Sequence, residues 1–122
     1  MTRTPRQVVE ELVDAYNAKS LERLRALYRP DARFWDPFHR AGVVGQDAIE
    51  HVLDGLFQRY PDEQMSIVAL VADSTHAVAE LRSTGHSADG RAFDVDFTEV
   101  YEVADGRIVS CRVYIDPRAV PG

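Results

Sequence analysis

The sequence predicts an α+β fold: a strongly curved antiparallel sheet wrapped around N-terminal helices, cone-shaped with a central pocket. Apolar residues recur at helical spacing through most of the first half of the chain, whereas the second half alternates with period two. The Asp-Gly pairs at 89–90 and 105–106 separate alternating runs and are typical of tight hairpins. A chain of 122 residues can bury one core, so we expect a single domain over 1–122.

Three helices are expected in the first half. Residues 4–7 provide a Thr N-cap, Pro at the first helical position and Gln three residues after the cap, so a helix should begin there and run to about Ala18. Ser20 is expected to cap a shorter second helix. A third helix is predicted over about 47–60, with Pro61 directly after it.

Strands should make up most of the second half. A brief strand over 32–36 is expected to end at Pro37. The longer strands are predicted at 65–72, 77–86, 91–103 and 107–115. The first of these is almost wholly apolar, which indicates a strand covered on both faces.

Composition excludes several classes of partner and site. A net charge of −6 and a pI near 5.1 argue against nucleic acid or an anionic membrane as partner. No apolar run resembles a signal peptide or a membrane span, so we expect a cytoplasmic protein. The single cysteine, Cys111, is expected to be a small buried residue. No histidine has metal-ligand spacing, so no metal is expected.

Glu99 occupies a position where an apolar residue is expected. One face of the strand at 93–103 carries Phe93, Val95, Phe97, Glu99, Tyr101 and Val103. Burying an unpaired carboxylate is costly, so Glu99 should be partnered, protonated or directed at a cavity. A salt bridge at the rim of the sheet is the alternative, and the sequence leaves both open.

The neighbouring strand permits two opposite interpretations. Its alternation separates a polar face from an apolar face. The polar face carries Glu80, Arg82, Thr84 and His86, and the apolar face carries Ala77, Ala79, Leu81 and Ser83. Either the polar face lines a pocket beside Glu99, or it is solvated while the Ala-Leu face forms core.

Several segments resemble one superfamily. Tyr-Arg-Pro-Asp-Ala at 28–32 leads into Phe-Trp-Asp-Pro at 34–37, and Gly-Gln-Asp-Ala-Ile follows at 45–49. With Gly-Arg-Ile-Val-Ser at 106–110, these segments make nearly the whole chain similar to the nuclear-transport-factor-2-like superfamily. That superfamily includes ketosteroid isomerases, SnoaL-type polyketide cyclases and limonene-epoxide hydrolases.

The resemblance implies roles for individual residues. Similarity to ketosteroid isomerase places Asp36 at the general base and Glu99 at the acid of the oxyanion hole. Tyr16 lies one helical turn from Leu12, where that enzyme has its tyrosine, and could take its place. Similarity to limonene-epoxide hydrolase places Asp116 at the carboxylate that activates water.

Together these residues predict a closed pocket with mixed carboxylates. Its expected lining is Asp36, Glu80, Arg82, Glu99 and Asp116, with Tyr16, Trp35, Phe93, Phe97 and Tyr101. Carboxylates crowded around one arginine should titrate apart, giving one charged base and one protonated acid. We therefore expect a cofactor-independent proton-transfer enzyme of the isomerase or cyclase type. It would act on a small apolar carbonyl compound, with Glu99 and Arg82 stabilising an enolate.

Two other functions remain open on the sequence alone. The first is epoxide-hydrolase-like hydration with Asp116 as base. The second is a non-catalytic domain for small-molecule binding or assembly, since one scaffold can host many functions. We also expect a homodimer, because Val100, Val109 and Tyr114 supply apolar area on the outer face of the sheet.

Overall fold

The computed structural model describes residues 2–122 and has the predicted α+β architecture. The helices are α1 (Pro5–Asn17), α2 (Leu21–Leu27) and α3 (Gln46–Arg59). The strands are β1 (Tyr28–Asp36), β2 (His39–Val44), β3 (Gln64–Ala72), β4 (His76–His86), β5 (Ala92–Ala104) and β6 (Arg107–Tyr114). A short 3₁₀ helix, Pro117–Ala119, follows β6.

The strands form one six-stranded sheet in the order β2-β1-β6-β5-β4-β3. All neighbouring pairs are antiparallel except β1 and β6, which are parallel. The sheet is therefore mixed, whereas the sequence predicted an antiparallel one. The β1–β6 pair joins strands far apart in the chain, and alternation within a strand carries no information about such a partner.

Side-chain caps set the helix starts that the sequence predicted. The Thr4 hydroxyl accepts from the Gln7 N–H at 3.2 Å, and the Gln7 side chain accepts from the Thr4 N–H at 2.9 Å. Ser20 caps α2 by accepting from the Arg23 N–H. No helix among the described residues is long and apolar enough to cross a membrane.

The β1–β2 hairpin differs from the prediction of one brief strand. The chain reverses after Asp36, whose Oδ1 accepts from the Phe38 N–H at 2.8 Å. Such side-chain-to-backbone bonds stabilise tight turns. Pro37 therefore lies within a hairpin turn, and β2 follows it at once.

The apolar face of β4 forms core, which decides between the two interpretations of this strand. Leu81 is fully buried and Ser83 is 1% exposed. Glu80 and Arg82 point to the opposite, outer face, so the prediction that they line the pocket was wrong. Arg82 instead donates to Asp94 (Nε–Oδ1 2.7 Å), and both side chains are about half exposed. Charged groups keep their hydration there, whereas the aliphatic face gains by leaving water.

The outer face of the sheet is uncovered in the single chain. Val68 and Val71 on the edge strand β3 are 57% and 72% exposed, so within one chain this strand is covered on its inner face only. Val71 pairs with Val78, and Val78 pairs with Val100. These three valines form a row, here called the outer valine row, across β3, β4 and β5.

The orientation of β4 can be tested with two neighbouring substitutions. Leu81→Ala should lower the free energy of unfolding by about 2–5 kcal/mol, because it leaves a cavity in the core. Arg82→Leu should change it little at any pH, because it removes only a surface ion pair. Urea denaturation followed by circular dichroism measures both. An Arg82→Leu loss comparable to that of Leu81→Ala would contradict this register.

Candidate functional site

A cavity of about 350 Å³ lies between the helices and the inner face of the sheet. Its walls are mostly aliphatic and aromatic, with Leu12, Phe34, Val52, Leu56, Phe93, Val95, Phe97 and Val113 among them. The polar side chains that reach it are Tyr16, Tyr28, Asp36, His39, Arg59, Tyr60, Glu63, Ser83 and Glu99. An apolar pocket with a few convergent polar groups is typical of small-molecule sites.

Glu99 is buried in this cavity, as its strand position predicted. It is 7% exposed, and its hydrogen-bond partner is the Cys111 thiol, which donates to Oε2 with a sulfur–oxygen distance of 3.3 Å. Burial raises the pKa of Glu99 from 4.5 to about 7. The Cys111 and Tyr101 side chains lower this pKa, while the carboxylates of Glu63 and Asp36 add to the rise. Near neutral pH, Glu99 therefore populates its protonated form.

Tyr101 is the next inward residue on β5, but it lies in the core and does not line the cavity as predicted. It is fully buried, and its hydroxyl has no hydrogen-bond partner among residues 2–122. Its side chain lies beside Glu99 and partly offsets the rise in the pKa of this carboxyl that burial causes.

Asp36 lines the cavity and forms a pair with His39. The Asp36 side chain is only 12% exposed. Its Oδ1 lies 2.9 Å from His39 Nδ1 and also accepts from the Phe38 N–H. The hairpin turn therefore orients the carboxylate through Oδ1. No side-chain hydrogen bond from the described residues reaches Oδ2.

Asp36 and Glu99 lie on opposite sides of Val113. Glu99 pairs with Val113, and Trp35 pairs with Arg112, so continuing the parallel β1–β6 register by one residue places Asp36 beside Val113. Two strand spacings separate the backbones of Asp36 and Glu99 by roughly 10 Å. A small molecule in the cavity could therefore touch both carboxyl groups at once.

Glu63 is a second buried carboxylate, which the sequence analysis missed. It lies between α3 and β3, is 7% exposed and lines the cavity. The Tyr16 hydroxyl donates to its Oε1 at 2.6 Å, and the Ser83 hydroxyl donates to its Oε2. A Pro-Asp-Glu-Gln segment looks like an exposed turn in the sequence. The only available signal was Ser83, a polar residue on the otherwise apolar face of β4.

Two predicted ligand-contacting residues lie in the cavity wall, one of them with an altered role. Phe97 lines the cavity as expected. Tyr16 also lines it, but its hydroxyl proton is directed at Glu63. Burial, with a further contribution from Glu63, raises the pKa of Tyr16 well above its usual value. Tyr16 is therefore not free to complete an oxyanion hole.

Two further predicted site residues, Asp116 and Trp35, lie outside the cavity. Asp116 caps the 3₁₀ helix by accepting from the Arg118 N–H at 2.9 Å, and it pairs with the Arg118 guanidinium at 3.1 Å. Trp35 follows the inward-facing Phe34, so strand alternation turns it to the outer face. There the Arg112 guanidinium lies 3.9 Å from the Trp35 ring centre.

No three His, Cys, Asp or Glu side chains within residues 2–122 come close enough to share a metal ion. Glu99, whose pKa is raised to about 7, and the carboxyl group of Asp36 face the same small, largely apolar space.

Solved structures share this fold at low sequence identity. A protein with a ketosteroid isomerase-like fold from Catenulispora acidiphila, in complex with trimethylamine, has a TM-score of 0.86 and 18% identity over 97% of this chain and 91% of that chain. IdmH from Streptomyces antibioticus, described as a candidate polyketide cyclase, has a TM-score of 0.84 and 22% identity over 96% and 95%. An NTF2-like protein from Burkholderia pseudomallei has a TM-score of 0.86 and 17% identity over 99% and 100%.

These likenesses confirm the cone-shaped fold that the sequence analysis expected. No curated protein matches the sequence. At the level of families, the SnoaL-like domain matches residues 9–111, from α1 to the centre of β6. The chain therefore belongs to the SnoaL-like domain family, within the superfamily that its sequence motifs resemble.

Proposed function

We propose that this protein is a cofactor-independent proton-transfer enzyme of the isomerase or cyclase type. Its substrate would be a small, mostly apolar compound with a carbonyl group. The observation that carries the proposal is Glu99, a buried carboxyl group with a pKa of about 7, which shares one cavity with Asp36. The structural likeness to IdmH, the candidate polyketide cyclase, is compatible with this reaction type.

Asp36 is the proposed base. Its carboxylate is largely shielded from water, and hydrogen bonds from Phe38 and His39 hold Oδ1. Oδ2 would take a proton from the carbon next to the substrate carbonyl. His39, whose side chain is 38% exposed, orients Asp36 through its hydrogen bond to Oδ1.

Glu99 is the proposed acid. In its protonated form it would donate a hydrogen bond to the carbonyl oxygen, on which negative charge develops as the enolate forms. An apolar wall makes this bond stronger than it would be in water. Arg82 has no part in it, because its side chain lies on the outer face of the sheet.

The two alternative functions receive different support. Hydration with Asp116 as base is not favoured, because Asp116 caps a helix outside the cavity. A non-catalytic binding domain would use the same cavity and would differ from the proposed enzyme only in lacking turnover. The most direct test is therefore whether the protein accelerates exchange between solvent and the hydrogens next to a ligand's carbonyl group.

The protein should accelerate hydrogen–deuterium exchange next to the carbonyl of small bicyclic ketones such as 1-tetralone in D₂O. Asp36→Asn should slow this exchange by about 10²–10⁴-fold, the usual contribution of a general base. His39→Gln should have a smaller effect, because it removes only the hydrogen bond that orients Asp36. Proton NMR measures the exchange rate.

Asp116→Asn is the matched control for the exchange experiment, because it removes the charge of an aspartate outside the cavity and should leave the rate unchanged. Exchange no faster than in buffer across several ketones would contradict the enzymatic proposal. A loss in His39→Gln equal to that in Asp36→Asn would make the imidazole the base.

Glu99 should also make stability depend on pH. Its pKa is higher in the folded chain than the unfolded value of 4.5, so the folded state holds this proton more tightly. The stabilisation is complete below about pH 4.5 and is lost as the pH rises through about 7. Glu99→Gln should remove this dependence and, above pH 7, unfold with a free energy higher by up to roughly 3 kcal/mol.

Glu102→Gln is the control for that measurement, because Glu102 lies on the same strand and is exposed. Urea denaturation of both variants and the unsubstituted protein from pH 4 to 9 isolates the Glu99 contribution. A difference between Glu99→Gln and the unsubstituted protein that does not change with pH would show that Glu99 keeps an ordinary pKa.

A homodimer is also proposed, formed through the outer face of the sheet. In the outer valine row, Val71 is 72% exposed and Val78 is 42% exposed on the outer face of the sheet. Tyr114, which is 59% exposed on β6, extends this apolar area. A two-fold pairing of sheets would remove these groups from water.

Val78→Asp should convert the dimer to a monomer, because it places a charge at the centre of the outer valine row. Gln58→Asp on the exposed side of α3 introduces the same charge elsewhere and should leave the dimer intact. Sedimentation equilibrium at micromolar concentration gives the mass of each. A monomeric unsubstituted protein would rule out this interface.

A further inference from the structure

The proposed reaction leaves several polar groups of the cavity unused, and Glu63 is the buried carboxyl among them. Glu63 lines the wall with both carboxylate oxygens engaged by hydroxyl groups, Oε1 by Tyr16 and Oε2 by Ser83. Tyr16 from α1, Glu63 from the segment between α3 and β3, and Ser83 from β4 therefore meet at one point of the cavity. These three side chains are here called the Glu63 cluster.

The Glu63 cluster offers acceptors and no spare donors. An ionised carboxylate only accepts hydrogen bonds, and each of its oxygens has room for about two. Tyr16 and Ser83 each have one hydroxyl proton, and both protons are directed at Glu63. What the cluster can present to a ligand is therefore lone pairs. A carbonyl or a carboxylate would find no donor there.

The charge of Glu63 is also not balanced by an ion pair. No Lys, Arg or His nitrogen in the described part of the chain lies within 4.0 Å of its carboxylate. Lys19 is nearby, but its Nζ donates to the main-chain oxygen of Glu63 at 2.7 Å. A buried carboxylate with only neutral donors is incompletely compensated, so a donor or a cation from a ligand would stabilise it.

We propose that the Glu63 cluster binds a hydrogen-bond-donating headgroup, a hydroxyl or a protonated amine, on the ligand whose apolar body fills the cavity. The proposal rests on the proposed function only in taking this cavity as the substrate site, since it concerns recognition and not proton transfer. Its consequence is a substrate with two polar ends: a carbonyl at Glu99 and a donor at Glu63. Ligands with a carboxylate at the second position are excluded.

The Glu63 cluster also affects the pKa of Glu99, the proposed acid, through its charge. The negative charge of Glu63 is one of the causes that raise the pKa of Glu99. A cationic headgroup at Glu63 would offset this charge and bring the pKa of Glu99 down, whereas a hydroxyl would leave it nearly unchanged. The identity of the headgroup would thereby set how strongly Glu99 holds its proton.

The test uses four probes with one naphthalene body and different headgroups: 2-naphthylmethanol, 2-naphthylmethylamine, the methyl ether of the alcohol, and 2-naphthoate. Titration calorimetry at about pH 6, where Glu99 is mostly protonated, gives each Kd. The alcohol, the protonated amine or both should bind at least about tenfold more tightly than the ether, and the carboxylate should bind most weakly. The alcohol and amine arms distinguish the two donor chemistries.

Glu63→Gln should remove the preference for donors and leave the Kd of the ether within about twofold. Asp116→Asn is the matched control, because it changes a carboxylate outside the cavity and should preserve the preference. Carboxyl NMR of the unsubstituted protein is a second readout that needs no variant. The Glu63 carboxyl signal should shift more with the amine or alcohol than with the ether.

Equal Kd values for ether, alcohol and amine would overturn the proposal, as would a preference that survives Glu63→Gln. Failure of every probe to bind would overturn it too, because an apolar cavity of this size should accept the naphthalene body. The proposed proton transfer fails separately, through absence of ketone exchange. A headgroup preference without exchange would mark a binding protein with a donor-selective pocket.

Discussion

Desolvation of Glu99 is the constraint on which the rest of the site depends. A carboxyl group that has lost its water favours its neutral form, and the same apolar walls that remove the water form the cavity. Glu99 is tolerated because Cys111 offers one weak hydrogen bond and because it can keep its proton. Stability and the proposed acid chemistry therefore depend on one group, and both should change with pH as Glu99 titrates.

The two other acidic groups of the cavity are held differently. Asp36 is fixed by a hairpin turn and a histidine, and Glu63 is fixed by two hydroxyl groups. Donors of this kind fix the oxygens of a carboxyl group in position and leave lone pairs free to accept further hydrogen bonds. One cavity thus contains a carboxyl that favours its proton and two that are arranged to accept hydrogen bonds. This asymmetry separates the proposed acid, base and headgroup site.

The inner and outer faces of the sheet carry different side chains and make different contacts. Strand alternation directs Leu81 and Glu99 inward, while Arg82 and Val78 point outward. The inner face meets the helices and forms the cavity wall, and the outer face has the apolar row proposed for dimer contact. A shift of β4 by one residue would exchange these sets and bury an arginine, so hydrophobic burial strongly selects the observed register.

The sequence by itself determined the α+β class, the helix caps, the bounds of the long strands and the inward position of Glu99. All of these follow from periodicity and capping, which are local. Only the tertiary structure decided that β1 pairs with β6, that Arg82 faces out and that Glu63 faces in. Alternation shows that a strand has two faces but does not show which one meets the helices. Glu63 lies in a turn without periodicity, and its burial depends on Tyr16 and Ser83, which long-range folding brings together.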